Sequence, residues 1–129
     1  MLKIEHFAYQ VAEPKAVAEW YCDHLNFTIK RAGSDPAATH FLADGSDNVM
    51  IEIYCNSAID VPDYPSMHPL TLHLAFACDD IEGKKANLEA AGATVAVPIT
   101  ETPSGDKLVM MRDPWGLSIQ LCKRGKPMI

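Results

Sequence analysis

No apolar run in the sequence reaches membrane-spanning length, and its first residues, Met1-Leu2-Lys3-Ile4-Glu5, lack the basic-then-apolar layout of a secretory signal. Both absences point to a cytoplasmic protein. Basic residues are few, 11 against 17 acidic ones, and the resulting net charge of −6 argues against a nucleic-acid partner. Lys123, Arg124 and Lys126 gather near the end and read as a solvated tail. Cysteine is sparse as well. Cys22, Cys55, Cys78 and Cys122 show no C-x-x-C spacing, and a chain of 129 residues buries enough core to need no staples, so reduced thiols acting as buried fillers are expected. What remains is an ordinary soluble composition, 48% hydrophobic and 22% charged, sized for a single domain over residues 1–129.

Periodicity divides that domain into two similar modules. In the first, residues 3–56, a strand over Lys3–Val11 leads to a helix opened by Glu13-Pro14. Val17, Trp20, Tyr21 and Leu25 form its packing stripe, and Asn26 suits the left-handed position that ends it. Strands follow at Phe27–Arg31, Thr39–Ala43 and Val49–Cys55. Residues 57–69, with Pro62, Pro65 and Pro69, read as a linker. The second module, residues 70–123, repeats the order. It has a strand over Leu70–Ala77, a helix over Ile81–Ala91 capped by Asp79-Asp80 and ended by Gly92, and strands at Thr94–Val97, Lys107–Met111 and Leu117–Leu121. Pro98–Asp106 reads as a loop and a candidate lid. Asp113-Pro114-Trp115-Gly116 is a tight turn feeding the last strand, with Trp115 expected to pack there. The fold class is therefore α+β: two tandem β-α-β-β-β modules forming a curled mixed sheet.

A polar residue recurs on the less apolar face of the first and last strand of each module. His6 and Glu52 lie 46 positions apart, and His73 and Gln120 lie 47 apart. If the helices cover the apolar faces, two imidazoles, a carboxylate and a carboxamide can line a common cavity. That set suits a divalent ion: neutral histidines donate nitrogen, Glu52 brings charge, and open positions would polarise a carbonyl. Glu52 could also act as general base. Each of these residues alone has an ordinary structural reading, and the joint placement carries the metal hypothesis. His24, His40 and His68 fall outside the pattern and are taken as non-ligands.

At these residues the chain resembles the vicinal oxygen chelate superfamily, which groups glyoxalase I, bleomycin- and fosfomycin-resistance proteins, methylmalonyl-CoA epimerase and extradiol dioxygenases. The likeness spans residues 3–122 and rests on Ile4-Glu5-His6, Trp20-Tyr21 through Asn26-Phe27, Ile51-Glu52-Ile53, Leu72-His73-Leu74 and Asp113-Pro114-Trp115-Gly116 through Gln120. It is nearest the short bacterial glyoxalase I type. That likeness implies metal ligation by His6, Glu52, His73 and Gln120, a divalent ion (Zn, Ni, Co, Mn or Fe), and a substrate contact at Asn56. It further implies a homodimer with the site at or near the subunit interface. Two positions depart from the family pattern: Gln120 stands where a glutamate is usual, and Gln10 stands where an arginine would bind a glutathione carboxylate. The implied function is a metal-dependent lyase or isomerase acting on a small carbonyl substrate, with the metal chelating vicinal oxygens and Glu52 moving the proton. Gln10 and Asn56 are the candidate substrate-binding residues. The alternatives are a non-catalytic binding protein of the bleomycin-resistance type and a non-haem iron dioxygenase.

Overall fold

The computed structural model describes all residues, 1–129. It divides into two compact units, Met1–Pro62 and Asp63–Ile129. The first contains β1 (His6–Gln10), α1 (Pro14–His24), β2 (Thr28–Ala32), β3 (His40–Ala43) and β4 (Met50–Tyr54). The second contains a short 3-10 turn at Tyr64–Ser66, then β5 (Leu74–Ala77), α2 (Ile81–Ala90), β6 (Thr94–Glu101), β7 (Lys107–Arg112) and β8 (Ser118–Lys123). Each unit is thus a β-α-β-β-β module, and the α+β class expected from periodicity holds.

Both units close the same way. The sheet orders are β1-β4-β3-β2 and β5-β8-β7-β6, so the first and last strands of each unit are parallel neighbours and the other pairings are antiparallel. A parallel pair requires a crossover, which the helix supplies. In the first unit Tyr9, Leu42, Ile51 and Ile53 are buried on one sheet face, and α1 packs against β3 and β4 through Val17, Ala18 and Tyr21. In the second, Val109, Met111, Ile119 and Leu121 occupy the corresponding face, with Ile81 and Leu88 of α2 buried too. The opposite faces of the two sheets have no helix from their own unit.

The helix ends follow the sequence. Asn26 takes φ 59° after α1, and Gly92 takes φ 104° after α2. The amides of Gly92 and Ala93 return to the carbonyls of Glu89 and Leu88, the double bond of a Schellman ending. Asp80 accepts from the Gly83 amide at 2.9 Å and caps the start of α2.

Three boundaries differ from expectation by three residues or more, the first being β1, which begins at His6 and not at Lys3, so that His6 opens the strand. The strand expected over Leu70–Ala77 begins only at Leu74, so His73 precedes the strand instead of sitting in its middle. The His68 carbonyl accepts from the Thr71 amide and the His68 ring accepts from the Leu70 amide, which closes a turn and delays the ladder. Leu70 is accordingly 73% exposed. The loop expected over Pro98–Asp106 is mostly strand, because β6 continues to Glu101 and tolerates Pro98 at a sheet edge where register slips on both sides of Val97. What is left of the candidate lid is a turn over residues 102–106, tied by the Thr102 amide to the Asp106 carbonyl at 2.9 Å.

The turn into β8 is braced by several hydrogen bonds. Asp113 is buried, and its Oδ1 accepts from the amides of Trp115 and Leu117 at 2.9 and 3.0 Å. The Gly116 amide donates to the Asp113 carbonyl, and Gly116 sits at φ 93°. A Cβ there would fall on the ring of Pro65. Gly116→Ala therefore combines backbone strain with a clash, and about 2–4 kcal/mol of stability should be lost. Urea unfolding checks this, and a loss below roughly 0.5 kcal/mol would show that the turn relaxes freely.

Asp106 anchors the C-terminal segment, accepting from the Gly125 amide and from Arg124 Nη1, both at 2.9 Å. The Gly125 amide, with Arg124 beside it, holds its carboxyl below the usual carboxylate range. A carboxyl depressed on folding stabilises the native state above its unfolded value, near pH 4, and that contribution fades as pH falls through the lowered native value. The Gly125 amide resonance should then titrate below the range of the exposed carboxylates, and Asp106→Asn should remove that transition.

Candidate functional site

The candidate site begins on the open face of the first sheet. Parallel pairing sets His6 opposite Met50 and Ala8 opposite Glu52, so His6 and Glu52 project from the same face on neighbouring strands. His6 Nε2 lies 3.3 Å from Glu52 Oε2, and His6 Nδ1 lies 2.9 Å from Glu5 Oε1. Phe41, opposite Glu52 on β3, meets the His6 ring edge-on at 5.5 Å, while Arg31 lies over the other end of this group, 5.6 Å from the Phe41 centroid. The imidazole is thus oriented by an aromatic contact and a carboxylate on the nitrogen away from Glu52. A carboxylate behind a ligating histidine fixes its tautomer and raises its basicity. A separation of 3.3 Å also fits two donors each roughly 2.1 Å from one ion.

In the second unit the pairing is equivalent: Ala75 is opposite Gln120, as Ala8 is opposite Glu52. His73 stands two residues before Ala75, as His6 stands two before Ala8. His73 Nδ1 lies 3.0 Å from the Pro69 carbonyl and donates to it, which in the neutral ring leaves the lone pair on Nε2. Gln120 lines a cavity of about 570 Å³ on the open face of β6, β7 and β8, and His73 is not among the cavity-lining residues. Gln120 Oε1 accepts from the Cys122 thiol at 3.4 Å. Nowhere do three or more His, Cys, Asp or Glu side chains converge on one point. The structure brings His6 and Glu52 together as a pair and places His73 and Gln120 in the other unit.

The two expected substrate contacts have internal tasks. Gln10 is buried; its Oε1 accepts from the Asn56 amide at 2.7 Å and its Nε2 donates to the Ile59 carbonyl. Asn56 Oδ1 accepts from the Ala58 amide at 2.9 Å, a turn within the same loop. The remaining histidines are structural or exposed: His40 is buried and donates to the Ala38 carbonyl, and His24 packs on Trp20. Burial pushes the thiols of Cys22, Cys78 and Cys122 up, so they are thiols and not thiolates at neutral pH.

One functional-looking residue escaped the sequence reading. Arg112 donates to the carbonyls of Tyr64, Met67 and Gly116 at 3.0, 2.8 and 2.9 Å, clamping the segment before β5 onto the turn before β8. Its place beside Asp113-Pro114-Trp115-Gly116 was the available signal, but a charge at a strand end is normally solvated.

With this geometry in view, comparison with known proteins decides the family. Residues 3–121 match the Glyoxalase/Bleomycin resistance protein/Dioxygenase superfamily. The chain belongs to that superfamily. Among solved structures, SMU.1112c is 25% identical, with a TM-score of 0.74 over 95% of this chain and 99% of that one. Glyoxalase I from Zea mays is 20% identical with a TM-score of 0.75, and 96% of this chain covers 45% of the maize chain. TnmS3, an antibiotic binding protein from Streptomyces, is 20% identical with a TM-score of 0.70, covering 97% of this chain and 98% of its own. The last two share the fold, and one fold thus serves both an enzyme and a binder. No curated protein matches the sequence. No helix is long and apolar enough to cross a membrane.

Replacing Gln10 by leucine would leave the Asn56 amide and the Ile59 carbonyl without their partner. Such a change should cost about 1–3 kcal/mol and speed hydrogen exchange at the Asn56 amide. Unchanged exchange there would mean that the loop holds itself.

Proposed function

We propose that this superfamily member is a metal-dependent lyase or isomerase acting on a small carbonyl compound, with His6, Glu52, His73 and Gln120 as the metal-holding residues. The observation that carries the reading is the His6–Glu52 pair, a nitrogen and a carboxylate oxygen 3.3 Å apart on adjacent parallel strands. Glu5 backs the His6 ring in the first unit, and in the second unit the Pro69 carbonyl fixes the His73 tautomer, the two devices that ready an imidazole for ligation. A divalent ion bound there supplies Lewis acidity toward two neighbouring substrate oxygens.

The chain's own part in the chemistry falls to Glu52. It is the sole carboxylate among the four, and its side chain is 21% exposed, open enough to exchange a proton with a substrate carbon next to a carbonyl. Gln120 cannot share that task, since a carboxamide neither takes nor gives a proton near neutral pH. The donor set also has no thiolate, which leaves zinc, nickel, cobalt, manganese and iron all eligible. The reading includes a homodimer in the cytoplasm, with the small molecule as the only other partner.

A second reading has specific support. Gln10 is fully engaged in the 56–59 loop and brings no charge for a glutathione carboxylate. With Gln120 in place of a second carboxylate, this favours a small-molecule binding protein of the bleomycin-resistance type over an enzyme for glutathione conjugates.

The two readings separate by experiment. His6→Ala and His73→Ala should each lower divalent-metal affinity by at least about tenfold, while circular dichroism stays native. Glu52→Gln should lose proton exchange at the substrate carbon, by roughly a hundredfold or more, beyond whatever metal it loses. Full metal uptake by both histidine variants would remove the metal reading and leave the binding protein.

A further inference from the structure

The cavity of about 570 Å³ in the second unit has a wall chemistry that narrows what it accepts. Its volume suits a small molecule. Its wall is mainly aliphatic, with Leu70, Val97, Leu108 and Met110 prominent, and no carboxylate lines it. The one permanent charge on the wall is Arg112. That guanidinium is already held by three backbone carbonyls, at 3.0, 2.8 and 2.9 Å, and reaches Ser118 Oγ at 3.4 Å. Those bonds fix Arg112 against the segment before β5 through its Nη atoms, and burying an anion against the aliphatic walls carries a large desolvation cost. Gln120 is neutral: its Oε1 accepts one bond from the Cys122 thiol and keeps a second lone pair, so it adds polarity to the wall without charge.

We propose that this cavity binds the body of an uncharged, largely apolar small molecule, not a carboxylate- or phosphate-bearing one. The inference rests on the functional reading above in that it names the ligand class of the site to which Gln120 belongs, and its argument is drawn from the cavity wall. Leu70 and Val97, 73% and 46% exposed, form its accessible edge and would be covered by the guest.

Two fluorescent probes with the same ring system test this on full-length protein treated with a chelator. N-phenyl-1-naphthylamine is neutral; 8-anilinonaphthalene-1-sulfonate adds one negative charge. The neutral probe should bind saturably, one per chain, and at least about tenfold more tightly than the sulfonate. Val97→Glu and Leu70→Glu, both at exposed positions, should each weaken the neutral probe by roughly tenfold without changing the melting temperature. Equal or tighter binding of the sulfonate would overturn the proposal and make Arg112 an anion anchor. Neutral binding unaffected by either variant would overturn it as well, because the probe would then sit elsewhere. Neither failure touches His6 and Glu52, and loss of metal binding in the histidine variants would leave the probe result standing.

Discussion

Parallel pairing between the first and last strand of each unit is the constraint from which the candidate chemistry follows. It brings residues more than forty positions apart onto one face at fixed register: Ala8 against Glu52, and Ala75 against Gln120. The helix that makes the crossover must cover one side of the sheet. The other side is thereby left for side chains that do not belong in a core. A one-residue slip in either pairing would turn Glu52 or Gln120 into the apolar layer, where neither is tolerable. The buried neighbours Ile51, Ile53, Ile119 and Leu121 hold that register.

Much of this was legible because the signals were redundant. Alternation around Glu52 and Gln120, the left-handed positions at Asn26 and Gly92, and the near-equal spacings of the two halves all point to one topology. The misreadings have identifiable physics. Leu70, Leu72 and Leu74 alternate like a strand, but the His68 turn captures the amides of Leu70 and Thr71 before a ladder can form. Pro98 reads as a strand breaker, yet an edge strand with slipped register has no bond there for it to break. Arg112 and Gln10 were hidden for a common reason: both bond mainly to backbone atoms, which carry no sequence signal.

The same contacts bear on function. A superfamily fold that hosts enzymes and binders alike fixes neither, so the difference lies in a few side chains. His6 and Glu52, with Glu5 behind the ring, are arranged as a ligand pair is arranged. Gln10, by contrast, is neutral and its amide is spent on the 56–59 loop, so it offers no charge to an anionic substrate. Under the metal reading proposed above, an uncharged Gln10 fits a neutral carbonyl compound better than a glutathione conjugate.

The proposed donor set is two imidazoles with oxygen donors and no sulfur. X-ray absorption at the metal edge of nickel- or cobalt-loaded protein reads this directly. Two histidine scattering contributions are expected in a shell otherwise of oxygen, with no sulfur, whereas a cysteine sulfur in the shell, or one histidine or none, would contradict that donor set.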